Sequence, residues 1–153
     1  MLSFPSLLKY YIIEIVIEMK TNELFNQLTR TNEPTNLIHE LPKISFTSLM
    51  DDYIQESSKS KSKVIEDAQI ERTYGYQILN GTRRPSRNKI LSLAIALDLD
   101  FDQITRLLAL CDHGNLYAKV PRDALIIFGI SHHFSLIDIN ELLAKHGFEL
   151  LTD

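Results

Sequence analysis

Residues 64–85 read Val64-Ile-Glu-Asp-Ala-Gln-Ile-Glu-Arg-Thr-Tyr-Gly-Tyr-Gln-Ile-Leu-Asn-Gly-Thr-Arg-Arg-Pro85. The spacing predicts two short helices joined by a tight turn, then a basic loop. Val64, Ile65 and Ala68 form the apolar face of the first helix, and Ile70 is buried just after the turn. Ile78 and Leu79 close the second helix, and Asn80-Gly81 stops it. Gly81 suits a left-handed cap because it has no Cβ to clash there. Pro85 cannot continue a helix.

Outward from this stretch, an N-cap serine or a capping box opens most of the expected helices. Ser45 caps a helix from Phe46 to about Ser57, whose buried stripe is Phe46, Leu49, Met50, Tyr53 and Ile54. Glu56 to Lys63 reads as a polar connector, with Ser62 capping a helix from Lys63. Ser86 caps a helix to about Leu97, burying Ile90, Leu93, Ala94 and Leu97. Asp100 to Gln103 forms a capping box for a helix to about Leu110 that buries Ile104, Leu107 and Leu108. Cys111 to Gly114 turns the chain. Pro121 starts a helix to about Ile130 with Leu125, Ile126 and Phe128 apolar. Ser135 and Asp138 form a second box, opening a helix to His146 with Leu136, Ile139, Leu142 and Leu143 as its stripe. This apolar pair either covers the core or forms a dimer surface.

Upstream, Asn22 caps a helix through Arg30, Thr31 to Pro34 breaks it, and Thr35 to Leu41 adds a turn or two. The apolar run Tyr10–Ile17 is too short to span a membrane, which takes about 20 apolar residues. It reads as a pairing arm, an amphipathic anchor, or sequence upstream of a natural start at Met19. The expected organisation is an N-terminal extension over residues 1–44, with 1–18 in doubt as native sequence. A helical domain follows over 45–110, and a C-terminal helical pair over 111–153 serves packing or dimerisation.

The chain has 153 residues, 44% of them hydrophobic, and a formal net charge of −4. That sign is unusual for a nucleic-acid binder, but the charge is unevenly spread. Residues 59–89 carry eight cations and three anions, a net of +5, while 1–58 net −4 and 90–153 net −5. A basic segment between acidic flanks is what local phosphate contact needs. The plainer reading of its Lys-Ser run is a solvated connector. One cysteine, Cys111, excludes an internal disulfide framework and fits a reducing cytoplasm.

Enzyme chemistry finds no support. There is no Gly-rich phosphate loop, nucleophile elbow or His-Glu-x-x-His. Cys111, His113, His132 and His133 match no zinc spacing and read as ordinary loop residues. Asp51 and Asp52 are neighbours in sequence but project about 100° apart on a helix. No cofactor or metal is expected.

The order of residues from Ile70 to Ser86 resembles the helix-turn-helix of the XRE (Cro/cI-like) family of phage and bacterial repressors. The pattern falls on Ile70, Glu71, Arg72-Thr73-Tyr74, Gly75, Tyr76-Gln77, Ile78, Gly81, Arg83-Arg84 and Pro85-Ser86, within a resemblance covering roughly Phe46 to Leu110. Two positions depart from it: Gln69 stands where glycine is usual in the turn, and Gly75 fills an apolar slot. Gly75 lets the two helices approach closely, with Tyr74 or Tyr76 filling the gap. Equally, it marks a helix no longer tuned to read DNA.

The resemblance implies an all-α chain with a five-helix lambda-repressor-like domain that binds double-stranded DNA. It implies transcriptional regulation, as a repressor of bacterial, phage or mobile-element origin, cytoplasmic and homodimeric. By resemblance, Arg72, Thr73 and Gln77 face the bases; arginine, threonine and glutamine suit guanine, the thymine methyl and adenine. Lys61, Ser62, Lys63, Tyr74, Tyr76, Thr82, Arg83, Arg84 and Lys89 face phosphates. For the tyrosines, one in the core and one outward is the simpler arrangement. The rival is an adapter, antitoxin or inhibitor that binds a protein partner through the N-terminal extension or the C-terminal helices.

Overall fold

A computed structural model describes residues 21–153. The Tyr10–Ile17 run and the Met19 start lie outside them. The chain divides at Ile44/Ser45 into two units. In the first, α1 spans Thr21–Arg30 and α2 spans Thr35–His39. Asn22, expected as the cap, is the second residue of α1, and its side chain accepts from Glu23 N at 3.0 Å. Leu24, Phe25 and Leu28 share one face of α1, and Phe25 is 66% exposed.

The second unit contains α3 (Phe46–Ser57), α4 (Lys61–Asp67), α5 (Arg72–Leu79), α6 (Arg87–Ala96), α7 (Phe101–Leu110), α8 (Pro121–Ser131) and α9 (Leu136–Lys145). All regular structure among the described residues is helical. None of these helices is long and apolar enough to cross a membrane.

The helix α6 is the centre of this unit. Ile90, Leu91, Ser92, Leu93, Ala94 and Ala96 are all buried. A helix that is apolar nearly all round has to be enclosed, and α4, α7 and α9 all pack on it. The helix α3 packs on α5 and α7, and α4 packs on α5. Met50, Val64, Ile78, Leu93, Ile104 and Leu107 are among the core residues with no exposed surface. Each such side chain contributes about 1.5–3 kcal/mol by leaving water.

The C-terminal pair covers the core from its other side. The helix α9 packs on both α8 and α6, and Ile126, Ile139 and Leu143 join the same apolar cluster. A Cβ placed on Gly129 would stand 2.5 Å from Ile139 Cγ1, so a bare α8 backbone seats Ile139. The last residues are integral too: Leu151 is fully buried, and its N–H donates to Asn140 Oδ1 at 2.9 Å. Sequence patterning gave no sign of this tail contact, because 148–153 is too short to show a period.

Most caps fall where the serines and acids put them. Ser45, Ser86 and Asp100 accept from Ser48, Lys89 and Gln103 N–H groups, and Asp100–Gln103 closes as a reciprocal box. Two expectations need correction. Ser60, not Ser62, caps α4, accepting from Lys63 N at 3.1 Å. The helix therefore starts two residues early, after Ser58 reverses the chain at φ 61°. Alternating serines offer several equal caps, and the reversal at Ser58 chooses among them. Ser135 accepts from Asp138 N at 3.2 Å, but the reciprocal bond of a box is not made.

Candidate nucleic-acid interface

The α4–α5 pair is built from a tight turn. Ala68 ends α4, and Gln69 takes a left-handed conformation, φ 54°. Ile70 N–H then reaches back to Ile65 O at 3.2 Å, and Ile70 is buried. Glu71 opens α5: its two carboxylate oxygens accept from Thr73 N at 2.9 Å and Tyr74 N at 2.8 Å. Gly81, φ 85°, ends the helix, and Arg83 N–H bonds Gln77 O at 3.1 Å.

Gly75 explains how closely the two helices sit. A Cβ there would lie 2.5 Å from Ile65 Cγ2 and 2.8 Å from Cγ1. The expected close approach is therefore real, but Ile65 fills the gap rather than a tyrosine.

At about 100° per residue, Gly75, Ile78 and Leu79 face inward, and all three are buried. Thr73 and Gln77 run along the opposite face, one turn apart; Thr73 is exposed and Gln77 half-buried. Two arginine–tyrosine pairs flank them. Arg72 Cζ lies 5.8 Å from the Tyr76 ring centroid, and Arg83 Cζ lies 5.8 Å from that of Tyr74. Both are within reach of a cation–π interaction. Tyr74 and Tyr76 are both half-buried against the core. The expected division into one core tyrosine and one outward tyrosine is corrected: both sit on helix flanks, where each ring lies partly on the core and partly under a guanidinium.

The remaining cations divide into two sets. Arg72, Arg83 and Lys89 have no carboxylate partner among the described residues. Lys61 pairs with Asp51 at 3.3 Å, and Lys63 with Asp67 at 3.0 Å. Lys59 pairs with Asp67 at 3.1 Å and donates to Ala96 O. Lys61, Ser62 and Lys63 form the exposed first turn of α4. Such exposed pairs are worth about 0–1 kcal/mol, so a phosphate competes with them readily. The hydrogen bond from Lys63 holds the Asp67 carboxyl below its ordinary range, and Asp67 in turn raises Lys63.

Thr82 is exposed and bonds back to Asn80 Oδ1 through both N–H and hydroxyl. Arg84, expected to face phosphate, turns toward the end of α7 and donates to Cys111 O and to Asp112 Oδ2 at 3.2 Å. The four residues weighed as metal ligands have separate surroundings. Cys111 is buried, which raises its thiol pKa. His113 Nε2 is 3.0 Å from Pro85 O, His132 stacks on Phe128, and His133 sits 2.8 Å from Asp98.

The sequence reading missed the full part played by Glu71. The bonds from Tyr74 N–H and then Thr73 N–H hold its carboxyl below the ordinary value of 4.5. A lowered pKa means stabilisation that is complete above the ordinary value and lost as pH falls through the lowered one. Replacing Glu71 by alanine should therefore lower the melting temperature at pH 7, with the difference from wild type shrinking as the melts are repeated at pH 5, 4 and 3. A pH-independent difference would refute a capping role for the charged form. The carboxylate also occupies N–H groups that would otherwise attract an anion. The Thr73 and Tyr74 N–H groups at the start of α5 are therefore already satisfied.

No protein-family model, curated protein or solved structure matches this chain.

Proposed function

We propose that this protein is a sequence-specific regulator that binds double-stranded DNA, acting as a repressor of bacterial, phage or mobile-element origin. In this reading residues 45–110 form a lambda-repressor-like domain of the XRE (Cro/cI-like) kind, and α5 enters the major groove. The supporting observation is the outward face of α5. It joins a polar centre, Thr73 and Gln77, to the carboxylate-free cations Arg72 and Arg83 on its flanks. Thr73 and Gln77 have the chemistry to read base edges, as does Arg72. Arg83 and Lys89 have the chemistry to neutralise phosphates. The reading includes a homodimer, with half-sites about 34 Å apart, and a cytoplasmic location.

The test is duplex titration at several salt concentrations. Arg72→Ala should relax base preference at one position of the site. Arg83→Ala should weaken binding to all sequences and reduce the slope of log K against log salt by about one. Identical behaviour of the two variants would overturn this division of roles. Absence of wild-type binding at low salt would overturn the DNA reading itself.

A second reading, a protein-binding adapter, antitoxin or inhibitor, is favoured by different observations. Phe128 on α8 is 45% exposed and Ile137 on α9 is 58% exposed. The Glu71 carboxylate also stands at the start of the helix that would read DNA. Apolar exposure of this kind marks partner surfaces when it is contiguous. Failure to bind any duplex, with capture of a partner that Ile137→Asp abolishes, would make this reading the leading one.

A further inference from the structure

The segment after α7 grips the loop after α5 at every turn. Arg84 donates to Cys111 O and Asp112, and Pro85 O meets His113 Nε2 at 3.0 Å. Arg87 Nε donates to Gly114 O at 2.9 Å, and Nη2 to Asn115 O at 3.1 Å. The Arg87 guanidinium also meets both oxygens of Asp123, at 3.2 and 3.0 Å. Asp123 accepts further from Tyr117 N at 3.0 Å, and its side chain is 8% exposed. Next along, Arg122 bonds Asn88 Oδ1 at 3.2 Å and the tail carbonyls Glu149 O and Leu150 O.

Two arginines of the basic segment are therefore already partnered, Arg87 against a nearly buried carboxylate and Arg84 at the surface. Arg84 is held there by a carbonyl and a carboxylate. Between Gly81 and this clasp lie Thr82 and Arg83, both exposed. A short loop fixed at both ends offers its outward side chains in one geometry, at less entropic cost on binding.

We propose that Asp123 and the 111–117 segment are positioning elements that hold the 82–87 loop, so that the C-terminal helical pair sets the geometry of a DNA contact it does not itself make. Arg84 and Arg87 are anchors of that loop rather than phosphate ligands. The second half of this inference rests on the DNA reading above; the anchoring itself does not.

Two measurements on the full chain separate these parts. The first is amide hydrogen exchange without DNA, on wild type, Asp123→Asn and Arg84→Ala. Arg84 is 64% exposed at its side chain, so its variant keeps the core intact. Exchange at the hydrogen-bonded Thr82 and Arg83 amides should quicken several-fold in both variants, while Met50, Val64 and Leu93 in the core keep their wild-type rates in Arg84→Ala. Unchanged exchange at Thr82 and Arg83 in Arg84→Ala overturns the anchoring. The second is duplex titration over a salt series. Arg84→Ala should weaken binding with the salt slope unchanged, because an anchor neutralises no phosphate. A slope reduced by about one, as for Arg83→Ala, would make Arg84 an ordinary phosphate ligand and overturn its assignment. Wild type that binds no duplex would overturn the half that concerns DNA, while the exchange rates would still decide the anchoring.

Discussion

Asp123→Ala is expected to lower unfolding free energy by roughly 3–5 kcal/mol, the cost of removing one partner from a buried ion pair. Asp123 is 5% exposed and receives two Arg87 N–H groups and the Tyr117 N–H. Alanine would leave Arg87 with no counter-ion and Tyr117 N–H with no acceptor. The Arg87 side chain is 26% exposed, so residual water places the loss toward the lower end of that range. The cost belongs to the orphaned partner, not to the attraction within the pair. Replacing both residues together, Arg87→Met with Asp123→Leu, should therefore recover much of the loss. Urea unfolding at neutral pH measures both variants against wild type. A loss under about 1 kcal/mol for Asp123→Ala would place the pair with surface salt bridges.

The second large effect concerns the closest contact between α4 and α5. Alanine is normally better than glycine in a helix by about 1 kcal/mol. At position 75 the order should reverse. The new Cβ would meet Ile65 at 2.5–2.8 Å, and the atoms it meets are Cγ1 and Cγ2 of a buried β-branched side chain. In a helix a β-branched side chain has one strongly preferred χ1 rotamer, so these atoms swing away only at a cost. Gly75→Ala should cost about 1–3 kcal/mol by overpacking. Ile65→Ala alone should cost about 2–5 kcal/mol through its cavity. In the double variant the methyl added at position 75 enters the vacated space, so the combined loss should fall short of the sum by at least about 1 kcal/mol. Additive losses would mean that the two sites do not touch in solution. The same change should disturb the tilt of α5, so Gly75→Ala also tests how tightly the outward face depends on this contact.

Much of the helical framework was legible because its signals are local. Ser45, Ser86 and Asp100 each accept a hydrogen bond from an N–H three residues on, and such caps are written in adjacent letters. Gly81 stops α5 for the same kind of reason. The apolar stripe of α3 separated from its charged face, although Phe46 and Leu49 are only partly buried. The turn at Gln69 shows where local reading weakens. Glutamine gives no signal for a left-handed residue, yet the packing of Ile70 between α4 and α5 imposes φ 54° there.

The candidate site was legible as composition but not as geometry. The sequence placed eight cations between 59 and 89. It could not say that Lys61 meets Asp51, that Arg84 turns to Cys111 and Asp112, or that Arg72 and Arg83 lie within cation–π reach of tyrosine rings. The Lys63–Asp67 pair, at i,i+4 on one helix, is local.

By itself, then, the sequence determined the all-helical class, two short helices within 64–85 with the second stopped at Asn80-Gly81, and the basic segment between acidic flanks. Each follows from interactions within one turn of chain or from simple charge counting. Only the tertiary structure decided which cations face outward, that Ile65 rather than a tyrosine fills the space at Gly75, and that Asp123 grips Arg87 across 36 residues of sequence. Those outcomes depend on where separate helices meet, and no periodicity within a helix records the partner it will pack against.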